Sequence, residues 1–338
     1  MAANSSAVWQ KGRVVEARDV AQGIRRVVVE PELPVRAAPG THVDVAVVIN
    51  GLPEVRSYSV VESDDDGRRL ALSVFRTPAS RGGSVFMHGL AEGDVVDLTQ
   101  PMQNFPLRVG AARYVILAGG IGVTAVLGMA RVLAGLGADY RFVYAGRSRE
   151  AMAYLDELVA EHGDRIEVHV DAEGTPLDVK AMVGGLDLDT ELYMCGPIRL
   201  MDAVRRAWQD FELDLPNLRY ETFGNSGWFD PEEFVVRIPR LGIEAVVPKD
   251  RSMLEALEAA GADLMFDCRK GECGLCEVDV LDIFGDIDHR DVFYSERQQE
   301  ASAKMCCCVS RITSARNPIP SGSVPSGNGR AVVSIEVS

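Results

Sequence analysis

From residue 14 to 107 the chain offers short runs in which apolar and polar residues alternate: RRVVVE, HVDVAVV, RSYSVV, LALSVF and DVVDL, separated by Gly, Pro and Asp-rich turns. A period of two marks strands with one buried face, and several such strands at even spacing predict a small antiparallel β-barrel. The acidic and basic turn SDDDGRR falls between two of these runs and reads as a solvated hairpin tip with no functional role.

At Arg113 the pattern changes. RYVILAGG is a continuous apolar run ending in glycines, VTAVLGMARVLAGLG has a helical period, and DYRFVYAGRS is a second buried run. The alternation continues with a helix over 151–162, then RIEVHV, ELYMCGP, the helix RLMDAVRRAWQDF and LRYETF, which predicts a doubly wound parallel sheet. GNSGWFDPEE then supplies a linker composition. A hairpin over EFVVRIPRLGIEAVVPKD and a short helix over SMLEALEAAG open a third, mixed region, and the Pro/Gly/Ser-rich stretch 317–330 is expected to be a mobile loop before a last strand, AVVSIEV. The expected architecture is multidomain: an antiparallel β-barrel over 1–110, an α/β parallel-sheet domain over 111–224, a linker over 225–232 and an α+β domain over 233–338.

Composition supports this division without sharpening it. A chain of 338 residues exceeds the roughly 100–200 residues of a usual domain. The formal net charge of -15 repels phosphate backbones, which places nucleic acid far down the list of partners. The N-terminus lacks the apolar core of a signal peptide, and no stretch reaches the roughly 20 apolar residues of a membrane span. A cytoplasmic monomer with no membrane partner is expected.

Of seven cysteines, six fall between 268 and 308, so they serve one local site and not a disulfide framework. Cys268, Cys273 and Cys276 have the spacing C-x4-C-x2-C, and Cys306, Cys307 and Cys308 follow about thirty residues later. This is the plant-type 2Fe-2S ferredoxin pattern. Four thiolates must converge on two irons, so a tight loop carries three, and Gly271 and Gly274 let its amides turn inward. A structural zinc site would favour paired C-x2-C knuckles. In an extended segment Cys306 and Cys308 share a face and Cys307 points away, so spacing leaves two candidates for the fourth ligand.

Two further strings bear on chemistry. Arg56, Ser57, Tyr58 and Ser59 bring a cation, an aromatic face and two hydroxyls together on a barrel strand, followed at a distance by Arg81, Gly82, Gly83 and Ser84. An arginine fork and a glycine turn suit a phosphate, although Arg and Tyr on a strand are more often plain surface residues. Gly119, Gly120, Gly122 and Thr124 lie where a strand meets a helix, the place at which a dinucleotide's phosphates meet exposed amides; Thr124 would cap that helix or touch a phosphate. Cys195 and Gly196 end another sheet strand, and a lone buried cysteine is normally inert packing. Arg147 and Ser148 end a third, where an adenosine ribose would lie.

CRKGECGLCEVDVL followed by CVSR, and preceded in order by RSYS, GGS and GGIGVT, resembles the phthalate dioxygenase reductase family, including vanillate O-demethylase reductases, over nearly the whole chain. The resemblance implies an FMN-binding barrel, an NAD(P)H-binding domain and a β-grasp ferredoxin domain. It assigns the fourth cluster ligand to Cys308, places Val74, Phe75 and Arg76 along the flavin beside Arg56 to Ser59, and brings Ser59 to the flavin's reactive edge. It sets Cys195 beside the nicotinamide carbon as a positioner and Phe223 over the flavin, where the ring must move for nicotinamide to enter. NADH is the family's usual donor, and NADPH is not separated from it by these residues. The implied activity is that of an oxygenase reductase, passing electrons from NAD(P)H through FMN and the cluster to a terminal oxygenase, with a Rieske-type partner in aromatic catabolism favoured. A P450 reductase shares every motif, and a non-enzymatic ferredoxin-like carrier is the alternative from another class.

Overall fold

A computed structural model describes residues 7–49, 51–78, 80–224, 227–314 and 330–337. Residues 317–329 of the expected mobile loop lie outside the described residues. The chain divides into two compact units, residues 1–221 and 222–338.

The first unit opens with the barrel: β1 (Trp9–Ala21), β2 (Ile24–Pro31), β3 (Thr41–Ile49), β4 (Leu52–Ser63), β5 (Leu70–Phe75) and β6 (Val95–Thr99). They pair in the order β4-β5-β2-β1-β6-β3, and β3 also pairs with β4, which closes the cylinder; β7 (Met102–Gln103) extends it from β3. Every pairing is antiparallel. Val27, Val29, Val43, Val45, Val47, Leu70, Leu72 and Leu98 fill the interior, each contributing about 1.5–3 kcal/mol on burial. The helix α1 (Gly83–Gly89) drops Met87 into the same core. β1 carries no alternating apolar signature because its first inward positions are Gln10, Gly12 and Val14. A Cβ on Gly12 would stand 2.3 Å from Val29 Cγ1, so the strand can only lie there as glycine.

The parallel sheet of the first unit consists of β8 (Arg113–Gly119), β9 (Tyr140–Gly146), β10 (Ile166–Val170), β11 (Thr190–Cys195) and β12 (Leu218–Glu221), in the order β10-β9-β8-β11-β12. Helices α2 (Val123–Gly135), α3 (Leu155–His162), α4 (Val179–Gly184) and α5 (Ile198–Asp210) connect its strands. The strand order reverses between β8 and β11, and such a switch point leaves a crevice beyond the strands' carboxyl ends.

In the second unit β13 (Phe234–Ile238), β14 (Ile243–Val247), β15 (Glu277–Phe284), β17 (Lys304–Cys306) and β19 (Ala331–Glu336) form a mixed sheet in the order β14-β13-β19-β15-β17, with β16 (Asp286–Asp288) and β18 (Arg311–Thr313) as a separate pair. Its helices are α6 (Met253–Ala259) and α7 (Glu296–Ala301). The S-x-x-E string before α6 makes a reciprocal cap: Ser252 Oγ accepts the Glu255 amide at 3.1 Å and Glu255 Oε2 accepts the Ser252 amide at 2.7 Å.

Hydrogen bonds tie residues 222 and 228–232 into the second unit. The first unit ends at Glu221, and Thr222 is bonded within the second: its amide donates to Glu272 at 2.7 Å and its hydroxyl to the Lys270 carbonyl at 2.8 Å. The described part of the 225–232 linker is not a free tether either. The Trp228 amide donates to Asp288 at 3.0 Å, and the Phe229 and Glu232 carbonyls accept from Arg290 at 2.8 Å and Arg311 at 2.9 Å. Among the described residues no helix is long and apolar enough to cross a membrane.

Candidate redox centres

The loop between α6 and β15 presents Cys268, Cys273 and Cys276. Its curvature rests on three left-handed residues, Arg269 at φ 51°, Gly271 at 76° and Gly274 at 75°. At the glycines a side chain would collide with the packing behind the loop: a Cβ would lie 2.6 Å from Val309 at position 271 and 2.3 Å from the Phe293 ring at position 274. The turn aims the amides of Lys270, Glu272 and Cys273 at Cys268 Sγ, each at 3.4 Å, which favours a negative sulfur there.

The consecutive cysteines are not extended. β17 stops at Cys306, and the Cys306 carbonyl accepts the amides of Val309 at 3.3 Å and Ser310 at 3.0 Å, which winds residues 306–310 into a turn. The face-sharing argument for an extended segment therefore does not apply, and all three thiols crowd Cys276. Only Cys308 bonds both Cys268 and Cys276; Cys306 and Cys307 bond Cys276. The Cys308 thiol, with the three loop amides behind it, lowers the Cys268 pKa to about 4. The thiols of Cys306, Cys307 and Cys308 hold Cys276 well below the usual thiol range. No three His, Cys, Asp or Glu side chains among the described residues gather as ligands of one metal ion; a two-iron cluster asks instead for two pairs of thiolates.

On the barrel, Arg56 to Ser59 lie in the middle of β4 and not at its end. Arg56 pairs with Glu54 and donates to the Val55 carbonyl at 2.9 Å and the Arg81 carbonyl at 3.3 Å. Ser57 bonds Asp44 at 2.5 Å, and burial pushes the Tyr58 phenol up against the lowering pull of Arg56. The loop before α1 folds onto this strand so closely that a Cβ on Gly83 would meet Arg56 Cγ at 2.7 Å. Gly82 sits at φ 91° with its amide on Ser80 Oγ at 3.1 Å, and Ser84 Oγ bonds Ser80 Oγ at 2.7 Å. Ser59 is buried and its hydroxyl has no hydrogen-bond partner among the described residues, a vacancy in bonding that a ligand edge would fill. Of the neighbouring strand's residues, Val74 turns its side chain into the barrel core, Phe75 is half-buried and Arg76 is exposed. Val74 can therefore offer a ligand only its backbone, and His88 Nε2 already lies 2.8 Å from its carbonyl.

At the switch point of the parallel sheet, Cys195 is paired in register with Ala118. A Cβ on Gly196 would stand 3.1 Å from Gly119 Cα, and one on Gly122 would fall 2.1 Å from the Cys195 carbonyl oxygen. The glycines thus let two strand ends meet and leave backbone, not side chain, lining the crevice. Thr124 is buried and donates its hydroxyl to the Ile121 carbonyl at 2.9 Å; the N-cap of α2 is Gly122, so Thr124 does not cap. Arg147 is exposed and Ser148 half-buried after β9. Phe223, half-buried, falls in the second unit two residues beyond β12.

Residues 236–313 match the family described as 2Fe-2S iron-sulfur cluster binding domain. The carnitine monooxygenase reductase subunit of Acinetobacter baumannii is 32% identical over 256 residues, 75% of this chain and 80% of that protein. Vanillate O-demethylase oxidoreductase of a Pseudomonas species is 33% identical over 285 residues, 82% of this chain and 87% of that one. A solved phthalate dioxygenase reductase, described as a modular structure for electron transfer from pyridine nucleotides to 2Fe-2S, is 27% identical and covers 97% of this chain and 98% of its own, with a TM-score of 0.70. The chain belongs to the phthalate dioxygenase reductase family.

As a member of that family it is an electron-transferring oxidoreductase with a 2Fe-2S domain. The donor set fits the group: soft thiols converge, and three amides turn in toward Cys268 Sγ. Sequence reading missed the polar network packed behind the cysteine loop of this chain. Asp291, fully buried, accepts from Ser310 at 3.1 Å, the Tyr294 amide at 3.0 Å and His289 at 3.3 Å, and its Cα stands 2.9 Å from where a Cβ on Gly271 would be. The signal was the run DHRD, four charged or titratable residues whose burial no periodicity reveals.

Proposed function

We propose that this chain is the reductase component of a multicomponent oxygenase, a cytoplasmic monomer that takes electrons from NADH through FMN and the 2Fe-2S cluster to a separate terminal oxygenase of Rieske type. When bound, FMN accepts a hydride and the cluster carries single electrons, so the pair converts two-electron supply into one-electron delivery. The observation that carries this reading is the thiol set, in which Cys308 alone of the three consecutive cysteines reaches both Cys268 and Cys276.

The chain's own residues supply binding and alignment. Arg56 with Gly82, Gly83 and Ser84 would hold the flavin phosphate, and the unpartnered Ser59 hydroxyl would meet the ring's polar edge. Tyr58 and the backbone of Val74, Phe75 and Arg76 would line the ring. Gly119, Gly120, Gly122 and Gly196 would admit the dinucleotide, with Arg147 and Ser148 toward its ribose, and Cys195 would position the nicotinamide. Phe223 would cover the flavin and move for nicotinamide. Cys268, Cys273, Cys276 and Cys308 would hold the irons. One relative is the reductase subunit of a carnitine monooxygenase and another a vanillate O-demethylase oxidoreductase; their common part is electron delivery, so the organic substrate is set by the partner.

The test is anaerobic addition of NADH to the purified protein. Flavin bleaching followed by loss of the cluster's visible absorbance is expected, with cytochrome c reduction in steady state. A protein that carries the cluster but releases no flavin on denaturation would overturn the reading. Offering the reduced protein to a Rieske oxygenase and to a P450 then separates the two partner classes.

A further inference from the structure

Tyr154 lies between β9 and α3 of the first unit, and its phenol reaches the barrel. It stands immediately before α3 at φ 64°, a left-handed conformation that a Cβ disfavours, yet it is 9% exposed. Its phenol oxygen lies 2.5 Å from Ser73 Oγ and accepts from Arg26 Nη1 at 3.3 Å. Both partners are barrel residues, paired across β2 and β5 in register. Arg26 is itself held by Glu62 at 3.0 Å and Glu16 at 3.3 Å, so the phenol docks into a fixed polar seat. A second contact runs alongside, from the Gln22 amide in the β1-β2 turn to the Glu150 carbonyl at 2.6 Å. The backbone behind the phenol is also pinned, since Tyr144 donates to the Ala153 carbonyl at 3.1 Å.

The two ends of this latch are placed at the two halves of the reaction. Tyr154 follows by a few residues Arg147 and Ser148, assigned above to the nucleotide ribose, and Ser73 immediately precedes Val74, Phe75 and Arg76, assigned to the flavin. A strained residue persists where surrounding structure over-determines it, and such strain collects at functional positions. We propose that Tyr154 is a positioning residue for hydride transfer: its bonds to Ser73 and Arg26 fix the nucleotide sheet on β5, so that nicotinamide meets the flavin at one distance and angle. The inference rests on the functional reading above, in which the nicotinamide's hydride, with both electrons, passes to the flavin and NAD+ leaves.

The test uses the holoenzyme with Tyr154→Phe, which keeps the ring and the backbone strain but removes the hydroxyl, and Ser73→Ala, which removes the partner. Stopped-flow bleaching by NADH should show the limiting rate of flavin reduction falling about tenfold in either variant, against up to about 100-fold for a misplacement of order 1 Å. The half-saturating NADH concentration and the flavin and iron contents should stay the same. Amide hydrogen exchange at residues 71–76 and 150–154 should quicken, and the double variant should be no slower than either single one. Wild-type bleaching rates in both variants overturn the latch, as does a slower rate with unchanged exchange and an equal loss of NADH affinity. A wild-type protein whose flavin NADH cannot bleach overturns the functional reading and the inference with it.

Discussion

Gly274 has no room for a methyl group, since a Cβ there would stand 2.3 Å from the Phe293 ring at a φ of 75°. Gly274→Ala is therefore expected to lose most of the cluster, read as iron per chain and visible absorbance, with the flavin content of the protein unchanged. The cysteines separate in the same assay. Cys308→Ser should abolish the cluster signal and cytochrome c reduction while NADH-driven flavin bleaching survives, whereas Cys306→Ser and Cys307→Ser should keep both; cluster loss in Cys306→Ser alone would move the fourth ligand. The C-x4-C-x2-C spacing was legible in the sequence because three ligands share one loop. The choice among Cys306, Cys307 and Cys308 was not, because it depends on the turn that the Val309 and Ser310 amides close on the Cys306 carbonyl. Tyr154 and Ser59 were opaque in different ways: nothing local marks a left-handed tyrosine, and the missing partner of Ser59 becomes visible only once its neighbours are placed.

At the scale of elements, the segment between β16 and α7 is held by ion pairs and hydrogen bonds. Asp288 and Arg290 form a buried pair at 2.6 Å, and Arg290 also carries the Phe229 carbonyl. Burial alone would raise the Asp291 pKa, but the bonds from His289, the Tyr294 amide and Ser310 outweigh it and hold the carboxyl below its ordinary 3.8. A depressed carboxyl stabilises the fold above its unfolded value and loses that contribution as pH falls through the folded one. Asp291→Asn should cost about 1–3 kcal/mol at pH 7, and in denaturant titrations the difference from wild type should start to shrink only as pH falls below the ordinary 3.8, through the depressed folded value. Strands β2 to β6 were readable from alternation, whereas β1 was not, since it turns Gln10 and Gly12 inward. β5 is buried on both faces, Leu70, Leu72 and Val74 in the barrel core and Ala71 and Ser73 on the other side, where Ser73 carries the Tyr154 contact. Composition at 225–232 is silent on contacts: Gly and Pro report a chain that turns, and Trp228, Phe229 and Glu232 are bonded to Asp288, Arg290 and Arg311.

For the whole molecule, division into two units predicts that the two redox functions separate. Removing iron with acid and chelator, then restoring neutral pH, should leave NADH-to-flavin reduction intact and abolish cytochrome c reduction; loss of both would mean that the cluster also supports the first unit. The order of domains was legible because each has its own periodicity, and the break at Glu221 was not, because it is set by one carboxylate, Glu272, reaching Thr222. The sheet of the second unit also holds the last of the described strands in its middle: β19 lies between β13 and β15 and follows every cysteine. During synthesis, β13 and β15 leave the ribosome without the strand that joins them. The sheet cannot close until β19 has joined β13 to β15, so excising residues 331–336 would strip the protein of its cluster while sparing every cysteine.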